Sequence, residues 1–164
     1  MIRSALPNAV ALLRSPVSDD DERIEFLGFR LDQACYAVSI DIVGEILRIL
    51  PMTVVPRSPR SIMGVVGVRG RVLTVVDLRE RLGLASPEPT RQARILVLPW
   101  SDNESVGLYV DSVLRVYRFS TAEIEPAAAG FGREASGHVT GIARADGQLV
   151  LIIRPEPFLE LVES

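Results

Sequence analysis

The chain contains no lysine and few aromatic residues. All 18 basic residues are arginine, against 21 acidic residues, and the formal net charge is −3. Aromatic residues make up 5% of the sequence. Proteins that bind single-stranded nucleic acid combine a positive groove with stacking aromatic side chains, and this composition offers little of either. A small β-barrel module that binds nucleic acid is therefore kept only as an alternative of another class.

Cysteine and histidine each occur once, as Cys35 and His138. A single cysteine cannot form an intramolecular disulfide, which is typical of a reducing compartment, and we expect the Cys35 thiol to pack in the interior. A metal site needs several ligands, and the sequence contains no nucleophile elbow, phosphate loop or supported pair of carboxylates. We therefore predict no catalytic residue, no metal and no cofactor.

Long apolar runs are also missing. No run approaches the roughly 18 residues that span a membrane, and the mildly apolar segment from Ala5 to Leu13 is short and interrupted by Pro7. We expect a cytoplasmic protein without direct membrane insertion. Residues 1–22 end in an acidic run, Asp19 to Glu22, and are predicted to form a flexible N-terminal arm.

The remaining sequence is typical of an all-β protein. Ten short segments are rich in β-branched or aromatic residues, and each is bounded by turn-forming residues, which is the pattern of strands and turns. Asp146-Gly147 lies between two apolar runs and predicts a tight hairpin, and Arg69-Gly70 predicts another. The predicted strands are Ile24–Leu31, Cys35–Ile40, Glu45–Ile49, Val65–Val68, Val72–Val76, Arg94–Leu98, Val106–Val110, Val113–Phe119, Val139–Ala143 and Leu149–Ile153.

Helices are predicted in few places. The segment Asp77–Leu82 has an acidic start, apolar residues four apart and a glycine stop at Gly83, as expected for a short helix. A second short helix is predicted at 155–162, and a single turn at Ser61–Gly64. Closely spaced short strands with so few helices indicate barrels or sandwiches and not strand–helix–strand units.

The sequence also repeats itself, which indicates two related β-subdomains at about 23–85 and about 93–154. In the alignment of the two halves, Glu45 falls on Arg115, while Arg69 has no clear counterpart. If these two residues form an ion pair, the alignment predicts it in one copy only. The alignment places Ile40-Asp41 on Val110-Asp111 and Val43 on Val113 with a shift of 70, Val65–Val68 on Val139–Ile142 with a shift of 74, and Leu73–Val76 on Leu149–Ile152 with a shift of 76.

A spaced set of residues in the first half, supported by a smaller set in the second, matches a known pattern. The set is Phe26-Leu27, Phe29, Leu31, Tyr36, Val38, Ile40, Val43, Glu45-Ile46, Pro56, Pro59, Ile62, Gly64-Val65, Arg69-Gly70, Val72 and Val75-Val76-Asp77-Leu78-Arg79, followed by Val106-Gly107-Leu108, Val110-Asp111, Val113, Ile124, Pro126 and Ile142. Its order and spacing resemble the chemotaxis coupling (CheW-like) family, so a CheW-like domain is expected over 23–162. The resemblance implies two tandem five-stranded SH3-like β-barrel subdomains with short helices.

By this resemblance the chain is an adaptor that couples chemoreceptors to a chemotaxis-type histidine kinase in bacterial signal transduction, and it catalyses no reaction. The implied partners are the regulatory domain of that kinase and the cytoplasmic tip of a methyl-accepting chemoreceptor. Recruitment to membrane-associated receptor clusters is implied as well. The implied receptor-binding groove carries over onto Ile40, Val43, Glu45, Ile46, Val65 and Arg69.

Two positions depart from the family's pattern. Gly67 stands where the family often has asparagine, and Thr74 where it often has proline. These departures keep open the alternative of a diverged adaptor that binds only one of the two partners. The resemblance does not identify the kinase-binding residues, for which Trp100, beside a turn-like tip, and Phe131, in a loop of small residues, are candidates.

The residues of the groove are also expected to have separate roles. Glu45 and Arg69 are opposite charges on neighbouring segments, and a guanidinium oriented by a carboxylate can present hydrogen-bond donors to a partner. Ile40 and Val43 are expected to border the core and to serve as apolar anchors for a helical hairpin.

Asp77 invites a rival interpretation, because an aspartate at the end of an apolar strand also occurs in phosphate-accepting receiver domains. That reaction usually needs a lysine, and the doubly wound receiver fold needs more helices than this sequence predicts. We expect Asp77 to cap the short helix that follows it.

Overall fold

The computed structural model describes residues 22–85, 88–101, 104–127 and 138–157 of the chain. Within these residues short strands predominate, and the predicted all-β class is confirmed. The strands are β1 (Ile24–Leu31), β2 (Ala34–Ser39), β3 (Glu45–Arg48), β4 (Ile62–Val68), β5 (Arg71–Asp77), β6 (Arg94–Ser101), β7 (Glu104–Val110), β8 (Ser112–Phe119), β9 (Glu125–Pro126), β10 (Val139–Ala145) and β11 (Gln148–Ile153). The helix α1 spans Leu78–Arg81, and 3-10 turns span Ile40–Ile42 and Thr121–Glu123.

The strands form two sheets of the same design. Sheet A has the order β8-β1-β2-β11-β10-β9, and sheet B has the order β3-β6-β7-β5-β4. Apart from the two-residue β9, the orders correspond strand by strand, with β8 of sheet A matching β3 of sheet B. The parallel pair β2–β11 in sheet A likewise matches the parallel pair β7–β5 in sheet B. The predicted internal repeat is thus present in the topology, and the two sheets with their enclosed cores are called barrel A and barrel B below.

Each sheet takes strands from both halves of the sequence. The hairpin β1–β2 belongs to sheet A with β8–β11, and the hairpin β6–β7 belongs to sheet B with β3–β5. The predicted subdomain bounds of about 23–85 and about 93–154 therefore do not coincide with the sheets. Strand patterns are local, whereas the exchange of the two hairpins depends on pairing between distant segments, so the sequence pattern did not indicate it.

The structure also corrects the repeat alignment. Arg69 and Asp146 occupy the same position in the two β-hairpin turns, with φ values of 51° and 53°, and their numbers differ by 77. Gly64 and Gly141, which also differ by 77, both follow an irregularity in strand pairing. The predicted shifts of 74 and 76 are therefore wrong for these strands. Apolar β-branched residues resemble one another on both faces of a strand, so such segments align almost equally well when displaced.

Three clusters of buried side chains fill the fold. One lies within sheet A around Tyr117, and another lies within sheet B around Ile95. The largest draws residues from both sheets, including the fully buried Leu27 of β1 and Leu108 of β7. Because removal of this apolar surface from water is shared between the sheets, the two barrels pack against each other as one unit.

Several local predictions can be compared with the structure. The Cys35 thiol is buried as predicted, and this burial raises its pKa. Asp77 caps α1 as predicted, because its side chain accepts a hydrogen bond from the Arg79 backbone N–H at 2.9 Å. The single turn predicted at Ser61–Gly64 is wrong, since Ile62 already begins β4.

Two predicted segments cannot be compared in full. The N-terminal arm at 1–22 and the short helix at 155–162 lie mostly outside the described residues. No helix among the residues that are described has the length and apolar character needed to cross a membrane.

Candidate functional site

Glu45 and Arg69 lie at opposite edges of sheet B. Glu45 is the first residue of the edge strand β3, and Arg69 lies in the turn that follows the other edge strand, β4. The Arg69 guanidinium donates from Nη1 to Glu45 Oε1 at 2.7 Å and from Nη2 to Glu45 Oε2. This bidentate ion pair joins the two edges of the sheet across one end of the barrel, which we call the mouth of barrel B.

The hairpin turn determines where the Arg69 side chain lies. Arg69 and Gly70 have φ values of 51° and 79°, and two successive positive values are typical of the type I′ turns that join twisted antiparallel strands. Glycine adopts this conformation readily, whereas for arginine it is uncommon. The turn therefore holds Arg69 in a defined direction, towards Glu45.

The two members of the pair are unequally exposed. The side chain of Arg69 is 72% exposed and that of Glu45 only 19%. The hydrogen bonding to Glu45 raises the pKa of Arg69, whose guanidinium is charged across the physiological range in any case. Solvent-exposed ion pairs contribute little to stability. The geometry instead holds a cation in place with part of its surface facing solvent, where it can donate to a partner.

A cavity of about 300 Å³ opens beside this ion pair. Val72 lies on its wall and is 73% exposed, although it belongs to a strand. The sequence pattern gave Val72 no role beyond its strand, because β-branched residues in strands are usually buried. An exposed apolar side chain next to an oriented cation is suited to contact with another protein. The cavity is lined by Glu45, Val68, Arg69, Arg71, Val72, Leu73, Val97 and Ser105.

A second cavity, of about 510 Å³, lies between the two barrels and is called the inter-barrel groove. Ile46 of β3 reaches it from barrel B, and Val113 of β8 reaches it from barrel A. These strands are the equivalent edge strands of the two sheets, so the groove lies where the repeated halves meet. It is lined by Arg30, Ile46, Gln92, Arg94, Ser112, Val113 and Leu114.

The structure separates the six residues predicted to bind the receptor. Glu45 and Arg69 lie at the mouth cavity and Ile46 at the inter-barrel groove, while Val65 is half-buried on β4. The expectation that Ile40 and Val43 border the core is wrong, because they are 2% and 0% exposed and belong to the core between the sheets. The 3-10 turn that begins at Ile40 carries both inwards, and such an irregular segment has no periodicity from which a face can be predicted.

Barrel A carries an ion pair in the equivalent place. Arg115 of β8 donates from Nη2 to Asp146 Oδ2 at 2.9 Å, and Asp146 lies in the turn between β10 and β11. The Arg115 guanidinium also lies 4.4 Å from the centre of the Tyr117 ring, within range of a cation–π interaction. The expectation that the pair occurs once is therefore wrong. It occurs in both barrels, with the charges exchanged between strand and turn.

A buried arginine connects the two sheets. Arg79 of α1 has a side chain only 4% exposed, and it donates to Asp111 Oδ2 and to the carbonyl of Ala85. Its Nη2 lies 3.9 Å from Oδ1 of Asp32, and Asp111 Oδ2 also accepts from the Asp32 backbone N–H at 2.7 Å. Because α1 follows sheet B and Asp32 joins two strands of sheet A, this cluster links the barrels directly. The sequence pattern includes Arg79 at the end of a motif but does not indicate its ion pair with Asp111.

The remaining candidate residues contribute less. The backbone of Trp100 belongs to β6 but its side chain is outside the described part of the structure, as is the whole of Phe131. His138 is buried, and burial, followed by the charges of Arg81 and Arg154, lowers its pKa. No group of three or more potential metal ligands is found within the described segments.

Two barrels of one design, each with an ion pair across its mouth and with a groove between them, define a β-barrel interaction module. The model of the CheW-like domain matches residues 25–163 of the sequence. The match covers most of the chain, and the chain therefore belongs to the CheW-like family.

Individual relatives agree with this assignment. The chemotaxis protein CheW of Bacillus subtilis is 34% identical over 129 residues, which are 79% of this chain and 82% of that protein. The protein FrzA of Myxococcus xanthus is 35% identical over 123 residues, or 75% and 76% of the two chains. Among solved structures, the scaffolding protein CheW of Thermoanaerobacter tengcongensis superimposes with a TM-score of 0.73 at 27% identity, covering 81% of this chain and 90% of that one.

Proposed function

We propose that this protein is an adaptor that holds the cytoplasmic tip of a chemoreceptor beside the regulatory domain of a chemotaxis-type histidine kinase. Membership of the CheW-like family supports the proposal, as does the description of a solved relative as a scaffolding protein. The adaptor itself would be cytoplasmic and would join receptor clusters through its partners.

One observation carries the receptor assignment. The Arg69 guanidinium is held by Glu45 at a barrel mouth, mostly exposed, next to the exposed apolar side chain of Val72. A fixed cation beside apolar surface offers both a directional contact and apolar contact area to a helical partner. Stability alone does not account for this arrangement, because the cationic member of the pair is 72% exposed and solvent screens its contribution.

Coupling by such an adaptor needs no chemical step. An adaptor that binds receptor and kinase at once raises the effective concentration of each near the other. The kinase would then dock on a separate surface, and Trp100 and Phe131 remain the candidate kinase contacts.

A reconstitution experiment tests this function. Receptor-containing membranes and the isolated kinase regulatory domain are mixed with the purified chain, first singly and then together, and sedimented. The proposal expects the chain to sediment with membranes and the kinase domain to sediment only when the chain is present. Binding to neither partner would show that the proposal is wrong.

The same experiment distinguishes the second candidate, an adaptor that binds one partner only. This candidate is prompted by Gly67, where a side chain would have open space around it but none is present. Membrane binding without recruitment of the kinase domain, or the reverse, would identify this narrower function.

A further inference from the structure

Arg81, His138 and Arg154 meet where helix α1 packs against the ends of β10 and β11. His138 immediately precedes β10 and Arg154 immediately follows β11, and the Arg154 backbone N–H donates to the His138 carbonyl at 2.9 Å. One neighbour in the chain of each basic residue belongs to the core shared by the two sheets: Leu82, Val139 and Ile153. Three basic side chains, one following sheet B and two flanking a hairpin of sheet A, thus surround one site, called the cationic junction below.

The cationic junction has no acidic counterpart within the described residues. Burial of the His138 ring, followed by the charges of Arg81 and Arg154, lowers its pKa, which agrees with the placement of both guanidiniums around it. In the described part of the chain no aspartate or glutamate forms an ion pair with Arg81 or Arg154. Glu80, beside Arg81 in the helix, lies 3.8 Å from the Arg60 guanidinium instead. The potential at the junction is therefore positive.

Arg81 contributes a buried hydrogen-bond donor. Its side chain is half-buried, and its Nε is enclosed without a hydrogen-bond partner among the residues that the structure describes. Buried donors are nearly always bonded in folded proteins, because leaving one unsatisfied is costly. Folding alone does not explain why this guanidinium is drawn inwards next to two further basic groups, and an anionic ligand would satisfy the donor and balance the charge.

The donor set is suited to a phosphate group. The guanidinium fork pairs with two phosphate oxygens at once, and an imidazole N–H can donate to a third. A carboxylate presents its two oxygens on one side, whereas a tetrahedral phosphate presents oxygens in several directions, as donors from α1 and from the ends of β10 and β11 require. The extended backbone of a nucleic acid is a poorer match, because the chain has a net charge of −3.

We propose that the cationic junction binds a phosphate group, carried by inorganic phosphate or by a small phosphate monoester, with Arg81 and Arg154 paired to its oxygens and His138 donating to it. The bound anion bridges the barrels, because its ligands come from both sheets. None of the three residues lines the mouth of barrel B or the inter-barrel groove. The site is thus additional to the proposed function and binds a small molecule.

The histidine provides a specific reporter for the test. His138 is the only histidine in the sequence, so the ring C–H signals in a proton NMR spectrum belong to it alone. The full chain is titrated with inorganic phosphate, with adenosine monophosphate and with chloride, at constant pH and ionic strength. We expect saturable shifts of the His138 signals and a higher melting temperature with phosphate, and neither with chloride. The tighter of the two phosphate ligands identifies which source of the group the site prefers.

Matched variants locate the binding. Arg81→Gln/Arg154→Gln should weaken phosphate binding at least about tenfold, while Arg57→Gln/Arg144→Gln, which removes the same charge from exposed positions, should bind like the wild type. Arg154→Gln alone, at an exposed residue, should weaken binding severalfold and serves if the double variant does not fold. Shifts that do not saturate, that chloride reproduces, or that persist in the Arg81/Arg154 variant overturn the inference.

The carboxylates of the chain itself are the rival occupants. Glu160 and Glu163 follow Arg154 closely in the sequence. If phosphate binds only after Glu160→Gln/Glu163→Gln, these glutamates fill the junction and the inference is wrong; an unchanged affinity in this variant supports it. The proposed function is tested separately, because sedimentation with receptor membranes does not require phosphate.

Discussion

Arg69 and Asp146 hold the same position in the two repeated halves and carry opposite charges. Each lies in a hairpin turn with positive φ, followed by a glycine with φ of 79° or 77°, and each pairs with a residue of the opposite edge strand. Barrel B thus exposes a cation at the turn of its mouth, and barrel A exposes an anion at the turn of its own. A single folding motif offers two mouths of opposite polarity, which suits the proposed recognition of two different partners.

Replacement of Arg69 should separate binding from folding. We expect Arg69→Ala to stay folded with only a modest decrease in melting temperature, because the Arg69 side chain is 72% exposed although Glu45 is mostly buried. Its sedimentation with receptor membranes should weaken about tenfold, since a directional contact is lost. The matched control is Arg57→Ala, because Arg57 is also an exposed arginine with positive φ. A variant that unfolds, while its folded fraction binds normally, would contradict this prediction.

Replacement of Arg79 should lower the stability of the fold much more than replacement of Arg69. Arg79→Met leaves the carboxylate of Asp111 partly buried without its cation, and removal of one member of a buried ion pair typically costs about 3 to 5 kcal/mol. Asp111 is 25% exposed, so solvent screening places the expected loss in the free energy of unfolding near the lower value, measured with urea.

Two further variants check the origin of that loss. Adding Asp111→Asn to Arg79→Met should recover part of the stability, because the uncompensated charge is removed. Arg60→Met, at a side chain that is 90% exposed, should change the free energy of unfolding little. An Arg79→Met protein as stable as the wild type would mean that the buried cluster does not hold the barrels together.

His138 should make the protein sensitive to mild acid. Burial, together with Arg81 and Arg154, lowers the pKa of His138 in the folded state below its ordinary value of 6.5. The unfolded chain therefore takes up this proton first as the pH falls through 6.5, and stability decreases until the folded-state pKa is passed. Above both values the residue is neutral in both states and contributes no pH dependence.

The measurement is a comparison of the unfolding free energies of wild type and His138→Gln from neutral pH down to about pH 5, where most carboxylates are still ionised. Carboxylate effects cancel in the difference between the two proteins. The stability advantage of the wild type should shrink as the pH falls, and a difference that does not vary with pH would contradict the assigned pKa shift.

Two glycines of β4 should tolerate substitution very differently. A Cβ at Gly64 would lie 2.6 Å from the backbone oxygen of Thr53, whereas a Cβ at Gly67 would have nothing within 4 Å. Gly64→Ala should therefore lower the free energy of unfolding by about 1 to 3 kcal/mol, as overpacking against rigid backbone does. Gly67→Ala is the control and should unfold like the wild type. If thermal or urea unfolding showed equal losses of stability in the two variants, the predicted clash at Gly64 would be contradicted.

The positions of the strands and the tight turns could be predicted because they depend on neighbouring residues. Alternation and turn residues located most of the strands, and Asp146-Gly147 and Arg69-Gly70 were correctly predicted as hairpin turns. The Glu45–Arg69 pair was also predicted, through the family resemblance. The equivalent pair of Arg115 with Asp146 was not predicted. The repeat alignment displaced the strands on either side of Asp146, so it matched Asp146 with no residue of the first half.

The accessibility of candidate residues could not be predicted in the same way. Ile40 and Val43 carry the apolar character of a binding groove and of a core alike, and only the path of the chain shows that they are buried. Val72 and Arg94 were not singled out for binding, although each lines a cavity. Whether a side chain faces solvent depends on which strand lies beside it, and that neighbour is distant in sequence.

The sequence by itself determined the all-β class, the turns, the cap of α1 and the family, because all of these follow from local patterns of residue type and spacing. Only the tertiary structure decided that the two halves exchange their first hairpins, that Arg79 joins the sheets, and that the equivalent ion pairs have opposite polarity. These features depend on which distant segments pack together, and that choice is made by the burial of one shared core and not by any single stretch of the chain.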